Sequence, residues 1–322
     1  MNDREAVPRA ADLASLVRAP AALSVPGDVL VGATAAGRPL GLRTAGVMAS
    51  SVCLYWAGMA LSDYADAAVD SVERPERPIP SGRVPRRTAR SVAAGLTAAG
   101  LGLAGLSGGR RGLAAALPLT ALVWAYDLKL KSTPAGPAAM AGARVLDVLA
   151  GAVAGGGKPP SPAPGGTVGT ASGETARALG RAALPALLTG LHTCTLTLLS
   201  RHEISNAPAR LPAATLAVSS ATAVAGAWPL GRPTRPTPRA SAAGTAVAAA
   251  AALAYLGTYG RAQALAVRDP SGGAVRRAVG AGILAMVPLR AALTARGGAP
   301  GAAVLGAVHP LALRPAGRVS PT

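Results

Sequence analysis

Long apolar stretches separated by short polar segments run through most of this chain. A helix needs about 20 apolar residues to cross the hydrocarbon core of a bilayer, with a range of about 17–25. On that length the pattern predicts an all-α fold, a multi-pass transmembrane bundle of about nine helices. Prolines and glycines inside several spans predict kinked helices around a central cavity. The predicted spans are residues 20–37, 44–62, 91–109, 112–126, 135–157, 179–199, 211–230, 240–260 and 275–295.

The spans define one transmembrane domain, residues 20–295, with a shorter segment on either side. Residues 1–19 are charged and lack the compact apolar core of a signal peptide, so we expect them to stay in the cytoplasm. The C-terminal tail, residues 296–322, contains an apolar segment that is too short and too rich in Gly and Pro for a tenth span. Its composition allows partial membrane association. Residues 156–174 are rich in Gly, Pro, Ser and Thr, which predicts a loop.

The composition agrees with a membrane protein. Half of the residues are hydrophobic and only 14% are charged, against about 25% charged in a typical soluble domain. The net charge of +18 is not accompanied by a basic helix or an aromatic stacking platform, which argues against nucleic acid as a partner. Attraction to anionic membrane lipids explains the charge better. Cys53 and Cys194 lie in apolar spans and form no metal-ligand pattern.

Orientation is predicted from Lys and Arg in the loops. The totals on the two sides are similar, so the densest cluster, residues 74–90, decides the prediction. It places this loop and the N-terminus in the cytoplasm, and the protein in the cell membrane with its active site toward the cytoplasm.

Residues 61–83 hold five of the 14 acidic side chains. Asp63, Asp66 and Asp70 are spaced three and four apart, so they share one face if the preceding helix continues. Like charges repel unless a cation sits among them, and carboxylate oxygens suit Mg²⁺, which also takes substrate phosphates as ligands. The cluster therefore predicts a Mg²⁺ and diphosphate site. Six arginines follow it: Arg74, Arg77, Arg83, Arg86, Arg87 and Arg90.

Two further polar regions are predicted on the same side of the membrane. One is residues 126–131, YDLKLK, after the fourth span, and the other is residues 200–206, SRHEISN, after the sixth. Inside the fifth span, Arg144 and Asp147 are three apart and are expected to pair on one helical face. Such a pair either neutralises itself or serves a site, because charges inside a span are costly.

The acidic region resembles the first aspartate-rich motif of the UbiA-type intramembrane prenyltransferases. Residues 62–70, SDYADAAVD, match the family pattern Asn-Asp-x-x-Asp-x-x-x-Asp except that Ser62 replaces the Asn. Residues 77–83, RPIPSGR, match its Arg-Pro-hydrophobic-Pro-x-Gly segment. Residues 126–131 are similar to the tyrosine and lysine stretch that follows helix 4 in the family. Residues 131–134, 136–137 and 200–203 most resemble the EboC-like bacterial branch.

The resemblance implies Mg²⁺-dependent transfer of a prenyl group from a prenyl diphosphate to an acceptor, through an ionised allylic cation. It implies Asp63, Asp66 and Asp70 as metal ligands and, with Lys131, as the catalytic set. The family's second aspartate-rich motif is reduced here to Glu203 and Asn206, the implied ligands of a second ion. The implied substrate-binding residues are Ser62, Arg77, Arg83, Tyr126, Arg144, Asp147 and Arg201.

Two other interpretations stay open. A transporter or lipid-binding membrane protein would use intramembrane charges as a relay, and would place them near the centres of its spans. The second interpretation is a catalytically weakened prenyltransferase, because the family's second aspartate-rich motif is incomplete in this sequence. No residue set in the sequence specifies the acceptor or the length of the prenyl chain.

Overall fold

A computed structural model describes residues 8–19, 25–154, 171–228 and 238–295, and all regular structure in these residues is helical. Two five-residue π-helical turns, Tyr126–Leu130 and Leu256–Gly260, interrupt the series. The α-helices are α1 (Ala10–Leu16), α2 (Pro26–Ala35), α3 (Leu42–Glu73), α4 (Arg86–Ala125), α5 (Gly136–Ala154), α6 (Ala171–Ser200), α7 (Arg210–Ala227), α8 (Pro238–Tyr255), α9 (Arg261–Arg268) and α10 (Gly272–Ala295).

Each of the nine predicted spans overlaps a helix, which confirms the predicted fold class. Two of them, 91–109 and 112–126, form the single element α4, which folds back on itself at Gly109. Gly109 has φ +59° and ψ −142°, a conformation that glycine tolerates because it has no Cβ. The indole nitrogen of Trp124 donates to the Thr97 hydroxyl at 3.1 Å, so the limbs 86–108 and 110–125 lie side by side.

Among the described residues, six helical segments are long and apolar enough to cross a membrane. They are Leu42–Glu73, Arg86–Leu130, Gly136–Ala154, Ser172–Ser200, Ala242–Arg268 and Gly272–Ala295. Helix α2, with ten residues, is shorter than its predicted span. The predicted loop 156–174 falls mostly outside the described residues, but its last four residues belong to α6. The tail 296–322 lies outside them entirely.

Small residues bring the helices into close contact. A Cβ on Gly32 of α2 would collide with the backbone carbonyl of Val148 on α5, and one on Gly151 would collide with that of Val29. Such close backbone approach is the usual packing mode of membrane helices. It fixes α2 against α5 and so positions the charged residues that these two helices carry.

The largest apolar cluster joins α6, α7, α8, α9 and α10 to Val31 and Val148. A separate cluster joins Leu16 of α1 to the end of α3 and the start of α4. Leu61 of α3 and Val84, which precedes α4, belong to this second cluster and are almost fully buried. The connection between α3 and α4, which carries the acidic and basic motif, is therefore anchored at both ends.

Candidate active site

The last turns of α3 carry the three clustered aspartates. The helix continues to Glu73, well past the predicted end of its span, so Asp63, Asp66 and Asp70 share one helical face as predicted. Asp63 and Asp70 are almost fully buried. The Nη1 atom of Arg77 lies 2.7 Å from Asp70 Oδ2 and 3.5 Å from Asp63 Oδ1. This guanidinium offsets the repulsion between the two carboxylates.

A compact turn after α3 directs Arg77 back onto the helix. The Ser81 backbone N–H donates to the Arg77 carbonyl at 3.0 Å, and the Val84 N–H donates to the Pro78 carbonyl at 2.9 Å. Gly82 has φ +75°, a left-handed conformation that favours glycine. The Pro-Ile-Pro-Ser-Gly sequence thus closes the turn and holds Arg77 over the aspartates.

The second polar region meets the first at Asp66. The π-helical turn Tyr126–Leu130 ends α4 and is followed by Lys131, whose Nζ lies 2.6 Å from Asp66 Oδ1. The Ser62 hydroxyl approaches the other carboxylate oxygen of Asp66 at 3.4 Å. Lys131 and Ser62, both predicted as site residues, therefore contact the aspartate cluster.

The third polar region joins the second through Arg201. Its Nη2 donates to the backbone carbonyl of Lys131 at 2.9 Å and also to that of Thr133. Arg201 thus fixes the connection that carries Lys131. The three regions that the sequence analysis put on one side of the membrane do lie at one end of the bundle.

The predicted second metal site is less developed. Glu203 is half-buried, and burial raises the pKa of its carboxyl group, while Arg276 and Arg74 act in the opposite direction. Asn206 is exposed. Glu203 thus has cationic neighbours, and its part in binding a metal stays a prediction.

The aspartate donors are chemically suited to Mg²⁺, which prefers carboxylate oxygens. Within the described ranges, no three His, Cys, Asp or Glu side chains are arranged as a ready metal site. Asp63, Asp66 and Asp70 instead each hold a cationic side chain. Their part in binding Mg²⁺ therefore stays a prediction.

A cavity of about 250 Å³ opens beside the aspartate cluster. Its lining comes from the segment after α1 and from α3, α4, the first π-helical turn and α5. Most of the lining is apolar or aromatic, which confirms the prediction of a cavity within the bundle. The lining residues are Arg18, Tyr55, Gly58, Met59, Ser62, Val123, Tyr126, Asp127, Met140, Ala143 and Arg144.

The structure corrects the expected pairing of Arg144 with Asp147. Arg144 Nη1 lies 2.8 Å from Asp28 Oδ2 on α2, and the Ser51 hydroxyl donates to Asp147. Arg290 of α10 also contacts Asp28, at 2.8 Å. The prediction used spacing along α5 alone, whereas the close packing of α2 on α5 offers Arg144 a better partner from another helix.

Sequence reasoning assigned no role in the site to four charged residues of this region: Arg18, Asp28, Asp127 and Arg290. Asp28 and Arg290 lie inside predicted spans, where a charged residue is itself a signal. Arg18 binds Asp63 at 2.9 Å and has φ +46°, an unusual conformation for a residue with a side chain. No sequence pattern points to that contact.

Other predicted residues lie at the edge of the site. Arg83 is exposed and binds Asp12 of α1 at 3.0 Å rather than the aspartate cluster. Tyr126 lines the cavity, as does Tyr55, whose ring lies 4.5 Å below the Arg144 guanidinium. Nearby on α3, Tyr64 packs against Arg86, with the guanidinium 4.6 Å from its ring.

Carboxylates and guanidinium groups thus cluster beside an internal cavity in an apolar helical bundle, and charged groups in such a bundle usually mark a functional site. The model of the UbiA prenyltransferase family matches residues 25–313, most of the chain. The chain therefore belongs to the UbiA prenyltransferase family and is a multi-pass membrane protein.

Among curated relatives, digeranylgeranylglyceryl phosphate synthase of Methanopyrus kandleri is 46% identical over 108 residues. The match covers 33% of this chain and 39% of that protein, so it spans well under half of the relative. The relatives found carry this synthase name and give no specific support to the EboC-like branch.

Solved structures share the fold. A UbiA homologue from Aeropyrum pernix, in its apo form, superimposes with a TM-score of 0.62 at 22% identity, covering 85% of this chain and 96% of that one. A homologue from Archaeoglobus fulgidus bound to GPP and Mg²⁺ gives a TM-score of 0.57 at 16% identity, covering 88% and 99%. At these identities the likeness concerns the fold.

Proposed function

We propose that this protein transfers a prenyl group from a prenyl diphosphate to an acceptor in a Mg²⁺-dependent reaction. The observation that carries the proposal is the set of three carboxylates on one face of α3, paired with Arg77 and Lys131, beside a mostly apolar cavity. The fold is that of a homologue that binds GPP and Mg²⁺, which supports the same assignment.

Asp63, Asp66 and Asp70 are the proposed ligands of Mg²⁺, with Glu203 and Asn206 as a weaker second set. When bound, the ion neutralises the leaving diphosphate and so favours ionisation of the allylic carbon–oxygen bond. The protein's own contribution is to hold the carboxylates on one rigid helix and to keep cations within reach of them.

The cations that pair with the aspartates have a second role in this proposal. Arg77 and Lys131 bind carboxylates in the free protein, and phosphate oxygens are their natural alternative partners. Arg77 can bind two oxygens through its fork, whereas Lys131 acts as a point charge. Once a metal takes the carboxylates, both side chains are free to bind the diphosphate.

The cavity would hold the start of the isoprenoid chain. Met59, Val123, Met140 and Ala143 provide apolar surface there, which excludes water from the allylic cation. The rings of Tyr55 and Tyr126 also line it and would stabilise that cation through their π-systems.

The other residues predicted to bind substrate are also proposals, and the structural support differs from one residue to the next. Ser62 and Arg144 line the cavity, whereas Asp147 is buried beside Ser51. Arg83 and Arg201 bind protein groups near the site, so their contact with substrate would require them to exchange partners.

The acceptor is proposed from the names of the relatives. Digeranylgeranylglyceryl phosphate synthases match this chain in part, which supports a glyceryl phosphate derivative as the acceptor. Membership of the EboC-like branch rests on the sequence motifs alone, and location in the cell membrane with the site toward the cytoplasm rests on the loop charges.

One observation favours the transporter alternative: Asp28, Arg144, Asp147 and Arg290 are charged residues inside the helices. Asp28, however, binds both arginines in short ion pairs, so these charges largely neutralise one another. Glu203 is the one acid in residues 200–206, which favours a weakened enzyme. Both alternatives predict little or no prenyl transfer.

The test is the loss of Mg²⁺-dependent prenyl transfer in Asp66→Ala and Asp70→Ala, each purified in lipid. We expect both variants to remain folded and to lose turnover, because a lost ligand removes several kcal/mol of leaving-group stabilisation. Glu73→Ala is the matched control, since Glu73 is an exposed acid on the same helix. Near-normal turnover by either aspartate variant would refute the assignment.

A further inference from the structure

Asp127 is a carboxylate in the cavity that the metal and diphosphate site does not use. Among the described residues it is the one carboxylate in the cavity lining, and its side chain is almost fully buried. The aspartates of α3 all hold a cation, whereas Asp127 has no salt bridge among the described residues. It is therefore an acidic group that faces the substrate space without an ion-pair partner.

The local structure gives Asp127 a defined position. It is the second residue of the π-helical turn Tyr126–Leu130, and such turns frequently occur at functional sites. Across the cavity wall, Gly58 of α3 leaves room for the carboxylate, because a Cβ there would lie 3.2 Å from Asp127 Oδ2. The sequence therefore provides both the turn that presents this carboxylate and the space that it occupies.

Asp127 also lies next to the proposed diphosphate site. The Ser62 hydroxyl is within hydrogen-bonding range, and Lys131, Asp66 and Arg18 interact with Asp127 electrostatically. Since Lys131 and Asp66 belong to the proposed diphosphate site, an acceptor seated beside Asp127 would be close to the allylic carbon.

We propose that Asp127 is the general base that takes the proton from an acceptor hydroxyl during prenyl transfer. This inference rests on the proposed function, and it commits the acceptor to the alcohols. The bond between the allylic carbon and the diphosphate oxygen breaks, and its electron pair leaves with the diphosphate. The acceptor oxygen forms the new bond to that carbon, and its proton passes to the Asp127 carboxylate.

The geometry favours Asp127 over the other acids for this role. A general base needs an oxygen within hydrogen-bonding reach of the proton that it removes. Asp63 and Asp70 are occupied by Arg18 and Arg77 and are assigned to the metal. An aliphatic alcohol is a weak nucleophile while it keeps its proton, so removing that proton as the new bond forms contributes about 10²–10⁴-fold to the rate.

The experiment separates ionisation of the donor from attack by the acceptor. Prenyl diphosphate labelled with ¹⁸O in the bridging position reports ionisation, because the label exchanges into non-bridging positions when the carbon–oxygen bond breaks and re-forms. In Asp127→Asn, which keeps the side-chain shape, we expect this exchange to stay within about threefold of wild type. Transfer to a glyceryl phosphate alcohol should fall by about 10²-fold or more.

An acceptor analogue with a thiol in place of the hydroxyl provides a second comparison. Because a thiol loses its proton far more easily, its transfer should fall much less than that of the alcohol. If Asp127→Asn does not fold, Asp127→Ala with added formate replaces it, and formate should restore transfer to the alcohol. Failure of formate to restore transfer in a folded Asp127→Ala protein would contradict the proposal.

Two results would overturn this role for Asp127. Normal transfer to the alcohol by Asp127→Asn would show that no proton passes to this residue. A parallel loss of exchange and transfer that higher Mg²⁺ restores would make Asp127 a metal ligand. Failure of the proposed function looks different, since the wild-type protein would then show neither exchange nor transfer.

Discussion

Arg77 is expected to affect the binding of Mg²⁺ and of diphosphate in opposite directions. In the free protein its guanidinium binds Asp70 at 2.7 Å and approaches Asp63 at 3.5 Å, with only 16% of the side chain exposed. Arg77→Ala removes a cation that competes with the metal for both carboxylates. It also removes a group proposed to bind phosphate oxygens.

The structure sets the size of the effect. A hydrogen bond between charged groups contributes about 1.5–3 kcal/mol, and the partial exposure of Arg77 favours the lower end of that range. Since 1.4 kcal/mol corresponds to a tenfold change in affinity, Arg77→Ala should weaken pyrophosphate binding about tenfold. It should strengthen binding of Mg²⁺ alone by up to about the same factor.

Isothermal titration calorimetry of the purified protein in lipid nanodiscs measures two affinities. One is the affinity for Mg²⁺ alone, and the other is the affinity for pyrophosphate in saturating Mg²⁺. Arg87→Ala is the control, because Arg87 is an exposed arginine of the same basic cluster, and both affinities should stay near wild type. If Arg77→Ala shifts the two affinities in the same direction, or Arg87→Ala has an equal effect, the exchange of partners proposed for Arg77 is wrong.

Three further predictions concern stability, the second metal position and topology. Asp28→Ala should lower the free energy of unfolding by about 3–5 kcal/mol, because it leaves two buried guanidinium groups without their shared carboxylate. Thermal denaturation in detergent measures this change, and an unchanged melting temperature would refute the prediction. Glu203→Gln should reduce turnover partially, with recovery at higher Mg²⁺, whereas Asp66→Asn should not recover, since fewer carboxylates bind the ion more weakly. No effect of Glu203→Gln at any Mg²⁺ concentration would exclude a metal there. We expect single cysteines placed at Ser81 and at Arg110, in a protein without the native cysteines, to react with an impermeant reagent from opposite sides of the membrane. Labelling of both positions from the same side would contradict the helix order.

The aspartate spacing was sufficient to predict that three carboxylates lie on one face of a helix. Asp63, Asp66 and Asp70 share a face because helical periodicity is local and the helix continues past its apolar part. The predicted need for a cation among them is met by Arg77 and Lys131. Lys131 was predicted by resemblance, since its contact with Asp66 depends on how α4 ends.

Contacts between distant helices could not be predicted in the same way. Arg144 is three residues from Asp147, and that spacing favours a pair, yet it binds Asp28, 116 residues away. Close packing of glycines on α2 and α5 decides this partner, and a single sequence does not show which helices touch. Arg18 is a similar case, because its contact with Asp63 depends on an unusual backbone conformation after α1.

The span pattern predicted the fold but not every boundary. Helix α3 extends to Glu73, well past the predicted end of its span at residue 62. Gly109 converts two predicted spans into one folded-back element. Asp127 lies in residues 126–131, which the sequence analysis identified as a polar region. Its position in the cavity depends on the π-helical turn, which has no reliable sequence signal.

The most direct test of prenyl transfer is to identify its products. Purified protein in liposomes, given labelled geranylgeranyl diphosphate, a glyceryl phosphate acceptor and Mg²⁺, should yield an acceptor carrying one added prenyl group and an equal amount of pyrophosphate, as measured by mass spectrometry. Both products should disappear with Asp70→Ala or with chelation of Mg²⁺. Intact diphosphate and unmodified acceptor after incubation with wild-type protein, across donors of several chain lengths and acceptors from host extract, would contradict the account.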